Sequence, residues 1–210
     1  MDVEESYFAV SRFFAAWVRM MEYHTRKMEV SDSTNLGSRR LIVSPPSDAG
    51  IPLLARGNAH GKTGLLCFSH RIERIATDYR RRRGLDTLTT YVAPFFAIPA
   101  SDEVLSVVYA NCLFDFCREA DFASMLDEIW RVLEPRGVLF AVYMGPPSSY
   151  WGRVWAWTFE RFLFLSHGCR PVSIASHLTR GSWRVVTDTS AAKLGFPVRY
   201  TVSEKLADVA

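Results

Sequence analysis

Residues 91–143 read YVAPFFAIPASDEVLSVVYANCLFDFCREADFASMLDEIWRVLEPRGVLFAVY, and this stretch decides the fold. Val104 to Ala110 is a short, almost wholly apolar, β-prone run, the pattern of a strand covered on both faces of a parallel sheet. From Asp121 to Leu133 the residues Phe122, Met125, Leu126, Ile129, Val132 and Leu133 recur at helical spacing, and Glu134-Pro135-Arg136-Gly137 supplies the stop. Val138 to Tyr143 then reads as a further buried strand. Strand, helix and strand in that order make half of a parallel α/β unit.

The rest of the chain is compatible with one such domain. At 210 residues and 49% apolar content it can bury one sizeable core. No run of about 18 uninterrupted apolar residues occurs, so no membrane-spanning helix is expected. The acidic start (Asp2, Glu4, Glu5) is unlike a secretory signal or an Arg-rich transit peptide. Cys67, Cys112, Cys117 and Cys169 fit neither a disulfide framework nor a usual zinc spacing; free thiols in a reducing, intracellular compartment are expected, with no metal centre. A formal charge of +3 is too small to imply a nucleic-acid partner by itself. Residues 6–28 read as one amphipathic helix, in which Tyr7, Phe8, Phe13, Phe14, Trp17, Val18 and Met21 alternate with Arg12, Arg19, Arg26 and Lys27. Such a helix packs on a domain, or meets a partner or a membrane surface. Ser31 to Arg39 reads as a linker.

Around the opening stretch, Ile98-Pro99, Leu105-Ser106, Ala110-Asn111, Glu128 through Leu133 and Glu134-Pro135-Arg136-Gly137 stand in a familiar order. They resemble the late half of a class I S-adenosylmethionine-dependent methyltransferase of the small-molecule, type 11, quinone-biosynthesis-like kind. In that family a loop ending Leu-Pro leads to a strand opening Phe-Asp and closing on a small residue plus Asn, and the helix reads E-x-x-R-V-L-K-P-G-G. The resemblance covers most of residues 38–205. It implies an α/β fold with a Rossmann-like, mostly parallel seven-stranded sheet, helices on both faces and a C-terminal antiparallel hairpin, here Trp183–Thr187 with Phe196–Ser203. Residues 1–37 then form an N-terminal helix and linker, and 38–210 the methyltransferase-like domain.

The same resemblance exposes what is missing. Where the family has a strand, an acidic residue and G-x-G-x-G, this chain has RLIVSPPSDAG from Arg40 to Gly50. Val43 takes the acidic position, and Pro45, Ser47 and Ala49 take the glycines; a slip of one residue restores Gly50 alone. Pro45 and Pro46 remove two amide donors and fix φ where the loop needs freedom. The second strand, Gly64 to Phe68, follows a crossover helix at Ile51 to Ala59 and in the family ends in a carboxylate that holds both ribose hydroxyls. No acidic residue occurs between Asp48 and Glu73, which leaves Ser69 or His70 to offer one neutral hydrogen bond. Pro94 stands where an acidic residue contacts adenine. Three lost contacts at roughly 1–3 kcal/mol each weaken a micromolar site to about millimolar or worse.

Other segments carry alternatives. Gly57 to Thr63 ends like a phosphate loop but has one residue too few between its glycines, and it precedes a strand. Arg80, Arg81, Arg82 and Arg83 close a helix that starts near Arg71; they suit its dipole, and they could also meet RNA phosphates or an acidic subunit. Gly145 to Leu165 is rich in Trp and Phe. It reads as a helix buried against the domain or a partner, or as an aromatic lid in which Tyr150, Trp151 and Trp155 line a substrate pocket. A helix over Ser173–Arg180 follows. His167 and His177 have no acid or Cys at helical or turn spacing, so no catalytic residue is assigned.

Three functional readings follow. The first is a degenerate, non-catalytic protein that binds protein partners in an assembly and needs no cofactor. The second is an active methyltransferase on a small hydrophobic substrate, with S-adenosylmethionine held by Val43, Ser47, Gly50, Ser69 and Asn111. A cofactor-independent enzyme on the same fold, such as a cyclase, is the third.

Overall fold

A computed structural model describes residues 3–10, 16, 19–20, 23–162, 166–178, 183–190 and 194–206. Helices α1 (Val3–Val10) and α2 (Tyr23–Asp32) precede strand β1 (Arg39–Val43). Then come α3 (Ile51–Arg56), β2 (Lys62–Cys67), α4 (His70–Arg83), β3 (Leu88–Val92) and β4 (Leu105–Asn111). Two single 3₁₀ turns lead to α5 (Phe122–Val132) and β5 (Leu133–Met144), followed by α6 (Tyr150–Arg161), α7 (Ala175–Leu178), β6 (Trp183–Ser190) and β7 (Val198–Lys205). The seven strands order as β3-β2-β1-β4-β5-β7-β6. β3, β2, β1, β4 and β5 pair in parallel, while β7 runs antiparallel between β5 and β6. Because the order reverses between β1 and β4, right-handed crossovers put α3 and α4 on one face and α5 on the other.

The quoted stretch folds as its pattern dictates. β4 and β5 are buried along nearly their whole length, as strands between two helical layers must be. α5 buries Phe122, Met125, Leu126, Ile129 and Val132, its apolar stripe. The polar side of α5 has its own task, because Arg131 donates to Ile98 O at 3.2 Å and to Ala100 O at 3.0 Å. It also pairs with Glu128 at 2.7 Å, and Glu128 accepts the Ile98 amide. The E-x-x-R of the helix therefore fastens the helix-free loop between β3 and β4.

The hydrogen bond from Arg131 holds the Glu128 carboxyl below its ordinary value of 4.5, with the Ile98 amide acting in the same direction. A depressed carboxylate stabilises the fold above that ordinary value and ceases to do so as the pH falls through the lower, folded value. Urea midpoints of wild type and Glu128→Gln are expected to converge below about pH 4, with a gap of at most about 1 kcal/mol at neutral pH because water screens the pair. A gap that stays constant with pH would rule this out.

Element edges differ from the sequence reading where local caps decide. α4 begins at His70 because the Ser69 hydroxyl accepts the Ile72 amide, and it ends where Gly84 adopts φ 60. α3 stops at Arg56 instead of Ala59, since the next residues turn tightly through Asn58 and Gly61. Of the helix expected over 173–180 the structure holds Ala175–Leu178, and Arg180 lies outside the described residues. Of the helix expected over 6–28 the described residues hold α1 and α2, and α2 runs into the expected linker as far as Asp32. Arg12, Phe13, Phe14, Trp17, Val18, Met21 and, further on, Phe164 lie outside the described residues.

Candidate functional site

In open α/β sheets a ligand crevice forms at the carboxyl ends of the strands, where the strand order reverses. Here that point lies between β1 and β4. Its walls are residues 44–50 after β1, Phe68 after β2, Phe95 after β3, and Asn111 with Cys112 at the end of β4. Two side chains from the N-terminal helices reach into it. The Tyr7 ring sits 5.1 Å from Phe68 and 5.7 Å, edge-on, from Phe116, and its hydroxyl donates to Cys112 O at 3.0 Å. Arg26 is 0% exposed and donates to Asp48 Oδ2 at 3.0 Å, with Glu29 Oε2 at 3.6 Å and Cys112 Sγ at 3.9 Å.

A guanidinium removed from water needs counter-charge and hydrogen-bond partners together. Asp48 and Glu29, both buried, supply the charge. Asp48 is itself fixed, since its Oδ1 accepts the Gly50 amide at 2.6 Å, and Asn111 Nδ2 donates to Glu29 at 3.4 Å. Gly50 matters through what it lacks: a Cβ there would fall 2.6 Å from Arg26 Cδ. The bare backbone at this loop thus admits an arginine of the same chain. Burial, with Cys112, Cys117, Asp115 and Asp48 nearby, pushes the Tyr7 hydroxyl well above its ordinary value, so it stays a neutral donor.

A family model described as a methyltransferase domain matches residues 52–141, from α3 through most of β5. Among solved structures, one chain covering 100% of this one and covered 100% by it has TM-score 0.75 at 17% identity. It belongs to a complex between the Haloferax volcanii Trm112 methyltransferase activator and a methyltransferase. A SAM-dependent methyltransferase from Aquifex aeolicus has TM-score 0.68 at 14% identity, covering 96% of this chain and 98% of its own. The chain thus has the fold of the S-adenosylmethionine-dependent methyltransferases, and its middle part matches their domain model. The [4+2]-cyclase SpnF shares that fold, with TM-score 0.66, 16% identity, and 88% and 80% of the two chains covered. No curated protein matches the chain in sequence.

Within this methyltransferase fold, the residues present do not suit the cofactor the fold implies. Ser69, the neutral substitute for the ribose carboxylate, spends its hydroxyl on the Ile72 amide as the cap of α4. His70 points to Glu73 at 3.2 Å on the surface. Val43 and Ser47 are buried beside the loop, whose Pro45 carbonyl accepts the Asp48 amide at 3.0 Å in a tight turn. Gly50 and Asn111 are committed to the Arg26 cluster as described. Of the five sequence candidates, Gly50 and Asn111 thus meet the Arg26 cluster, whereas Ser69 caps α4 and Val43 and Ser47 lie at the end of β1 and in the loop after it.

The remaining candidates lie elsewhere. Tyr150 and Trp151 are exposed on α6, while Trp155 is half-buried against Phe159 and Phe196. Arg80 donates to Leu88 O at 2.8 Å, Arg81 pairs with Asp78 at 3.6 Å, Arg83 lies over the Tyr79 ring, and Arg82 is exposed. Gly57 to Thr63 forms the turn into β2, with Asn58 bonded to Ser38 O and Thr63 Oγ1. His177 packs edge-on against Phe122. No disulfide joins the four cysteines, and burial with Glu73 nearby pushes Cys67 up to about 12, leaving it protonated. Tyr7, Arg26, Glu29 and Asp48 were not singled out by sequence reasoning. The available signal was a polar set at helical spacing, Thr25, Arg26 and Glu29, on a strongly hydrophilic helix.

Proposed function

We propose that this chain is a methyltransferase-fold protein whose cofactor crevice is filled by its own N-terminal segment, and that it works without methyl transfer, as a structural or interaction subunit of an assembly. The observation that supports the reading is the buried Arg26–Asp48–Glu29 charge cluster, with Tyr7 bonded to Cys112 O at the end of β4, which sets side chains of the N-terminal helices in the crevice. In this reading residues 1–37 close the domain formed by 38–210. A protein partner is supported by the solved complex in which a methyltransferase of this fold is held with an activator protein. Arg80–Arg83 offer such a partner an exposed cationic helix end, and RNA phosphates are the alternative occupant of the same surface.

A second reading, an active methyltransferase on a small hydrophobic substrate, is favoured by one observation: the β4–α5–β5 half of the fold lies within the segment that matches the methyltransferase-domain model. Calorimetric titration with S-adenosylmethionine and S-adenosylhomocysteine separates the two. No heat is expected at millimolar ligand. A dissociation constant at or below tens of micromolar would overturn the non-catalytic reading and direct attention to Tyr150, Trp151 and Trp155 as substrate contacts. A cyclase-like activity on this fold would survive the absence of heat and would need a substrate screen.

A further inference from the structure

A surface helix normally turns its aromatic residues inward and its charged ones outward. α6 does not follow this rule. It buries Gly152 and Phe159, while Tyr150 is 66% exposed, Trp151 64% and Trp157 59%. At about 3.6 residues per turn, Tyr150, Arg153, Val154, Trp157 and Arg161 fall on one stripe along the outer face of the helix. Phe162 adds to that face, its ring 6.0 Å from Trp157, Trp151 adjoins Tyr150 with ring centroids 5.5 Å apart, and Leu194, 68% exposed, lies at the β6–β7 turn on the Trp151 side. That turn is tied to the helix by Trp155 Nε1, which donates to Leu194 O at 3.1 Å. Half of the ten exposed large apolar side chains among the described residues therefore gather on this one convex patch.

We infer that α6 is a docking helix for the headgroup layer of an anionic lipid bilayer. Two features select a bilayer as occupant. The first is chemistry: Tyr and Trp combine an apolar ring with one polar tip, which suits the boundary between headgroups and acyl chains. The second is charge and shape together. Arg153 and Arg161 are exposed in the same stripe, with Glu160 the one acid of the helix, so the patch presents cations toward a negative surface. The aromatic rings also protrude from a convex helix, whereas aromatic anchors at protein interfaces sit in well-packed pockets with paired partners. Among the described residues no helix is long and apolar enough to cross a membrane, so the contact is peripheral. The inference does not depend on whether a cofactor binds the crevice.

The test is flotation of the full chain with phosphatidylcholine vesicles, with and without about 30 mol% phosphatidylglycerol, at low and high salt. Partition into the anionic vesicles, at least about tenfold weaker with phosphatidylcholine alone or at high salt, is expected, with a blue shift of tryptophan emission. Tyr150→Ser/Trp157→Ser, which removes two outward side chains and leaves the buried face intact, is expected to abolish partition with an unchanged circular dichroism spectrum. Arg153→Glu/Arg161→Glu is expected to lose the preference for the anionic lipid. Absence of partition into either vesicle, or partition indifferent to both double variants, would overturn the inference. A concentration-dependent dimer that Tyr150→Ser/Trp157→Ser dissolves would likewise overturn it, and would assign the patch to a second copy of the chain.

Discussion

Replacing Arg26 by alanine is expected to lower the unfolding free energy by about 3–5 kcal/mol, the cost of removing one partner from a buried charge cluster. Against a typical domain stability of about 5–15 kcal/mol this is a large fraction, and it arises from two sources. Asp48 and Glu29 would remain buried without their cation, and the volume of a fully buried side chain would be left behind. The charge part can be isolated. Arg26→Met keeps most of the volume, so its loss reports chiefly the stranded carboxylates. Adding Asp48→Asn, which can still accept the Gly50 amide, should then recover part of that loss, a coupling of about 1–2 kcal/mol in a double-mutant cycle followed by urea denaturation. If Arg26→Met instead matches wild type within about 0.5 kcal/mol, the guanidinium is solvated and the crevice is not closed in the way described.

This cluster also marks the limit of what could be read in the sequence. β4, α5 and β5 were legible because two continuous apolar runs and a helix with a 3.6-residue stripe have clear stops, while the seven-stranded sheet and its C-terminal hairpin were legible only through the resemblance to the methyltransferase family. Glu128 and Arg131 were legible as a motif, though not as the fastening of the loop between β3 and β4. The loss of the glycine loop and of the ribose carboxylate was legible from Pro45, Pro46 and the acid-free interval before Glu73. What replaced them was not. Arg26 reads as a solvated charge on a helix face, and nothing near it in the sequence names Asp48, 22 residues away, as its partner. Tyr7 reads as one more aromatic in an apolar arc, whereas its hydroxyl bonds a carbonyl more than a hundred residues downstream. Contacts between a hydrophilic helix and a distant loop carry no periodic signal, and α2, with Thr25, Arg26 and Glu29 buried, inverts the pattern by which core helices are recognised.

Tyr7→Ala is expected to produce the second large effect, and a local one. Deleting a buried aromatic ring costs about 3–5 kcal/mol. Here the ring packs between Phe68 and Phe116, and its hydroxyl bond to Cys112 O is lost with it. An eight-residue helix has no stability of its own in water, so α1 is held by docking alone and opens before the domain unfolds. The loss should therefore appear in α1. Amide exchange at residues 5–10 is expected to accelerate by about 100-fold or more, since each 1.4 kcal/mol is about a factor of ten, while amides of β4 and β5 keep their protection. Equal acceleration throughout the sheet would mean that Tyr7 is an integral part of the core and that α1 is no separate closure. The same variant decides between a closed enzyme and a degenerate one. With the ring gone the crevice is partly open, yet the loop still carries Pro45 and Pro46, β2 still ends without a carboxylate, and Arg26 still faces Asp48. S-adenosylmethionine is therefore expected to remain without measurable heat at millimolar concentration. Micromolar binding by Tyr7→Ala, with none by wild type, would show that the N-terminal helix masks a working site, and the chain would then be an autoinhibited methyltransferase.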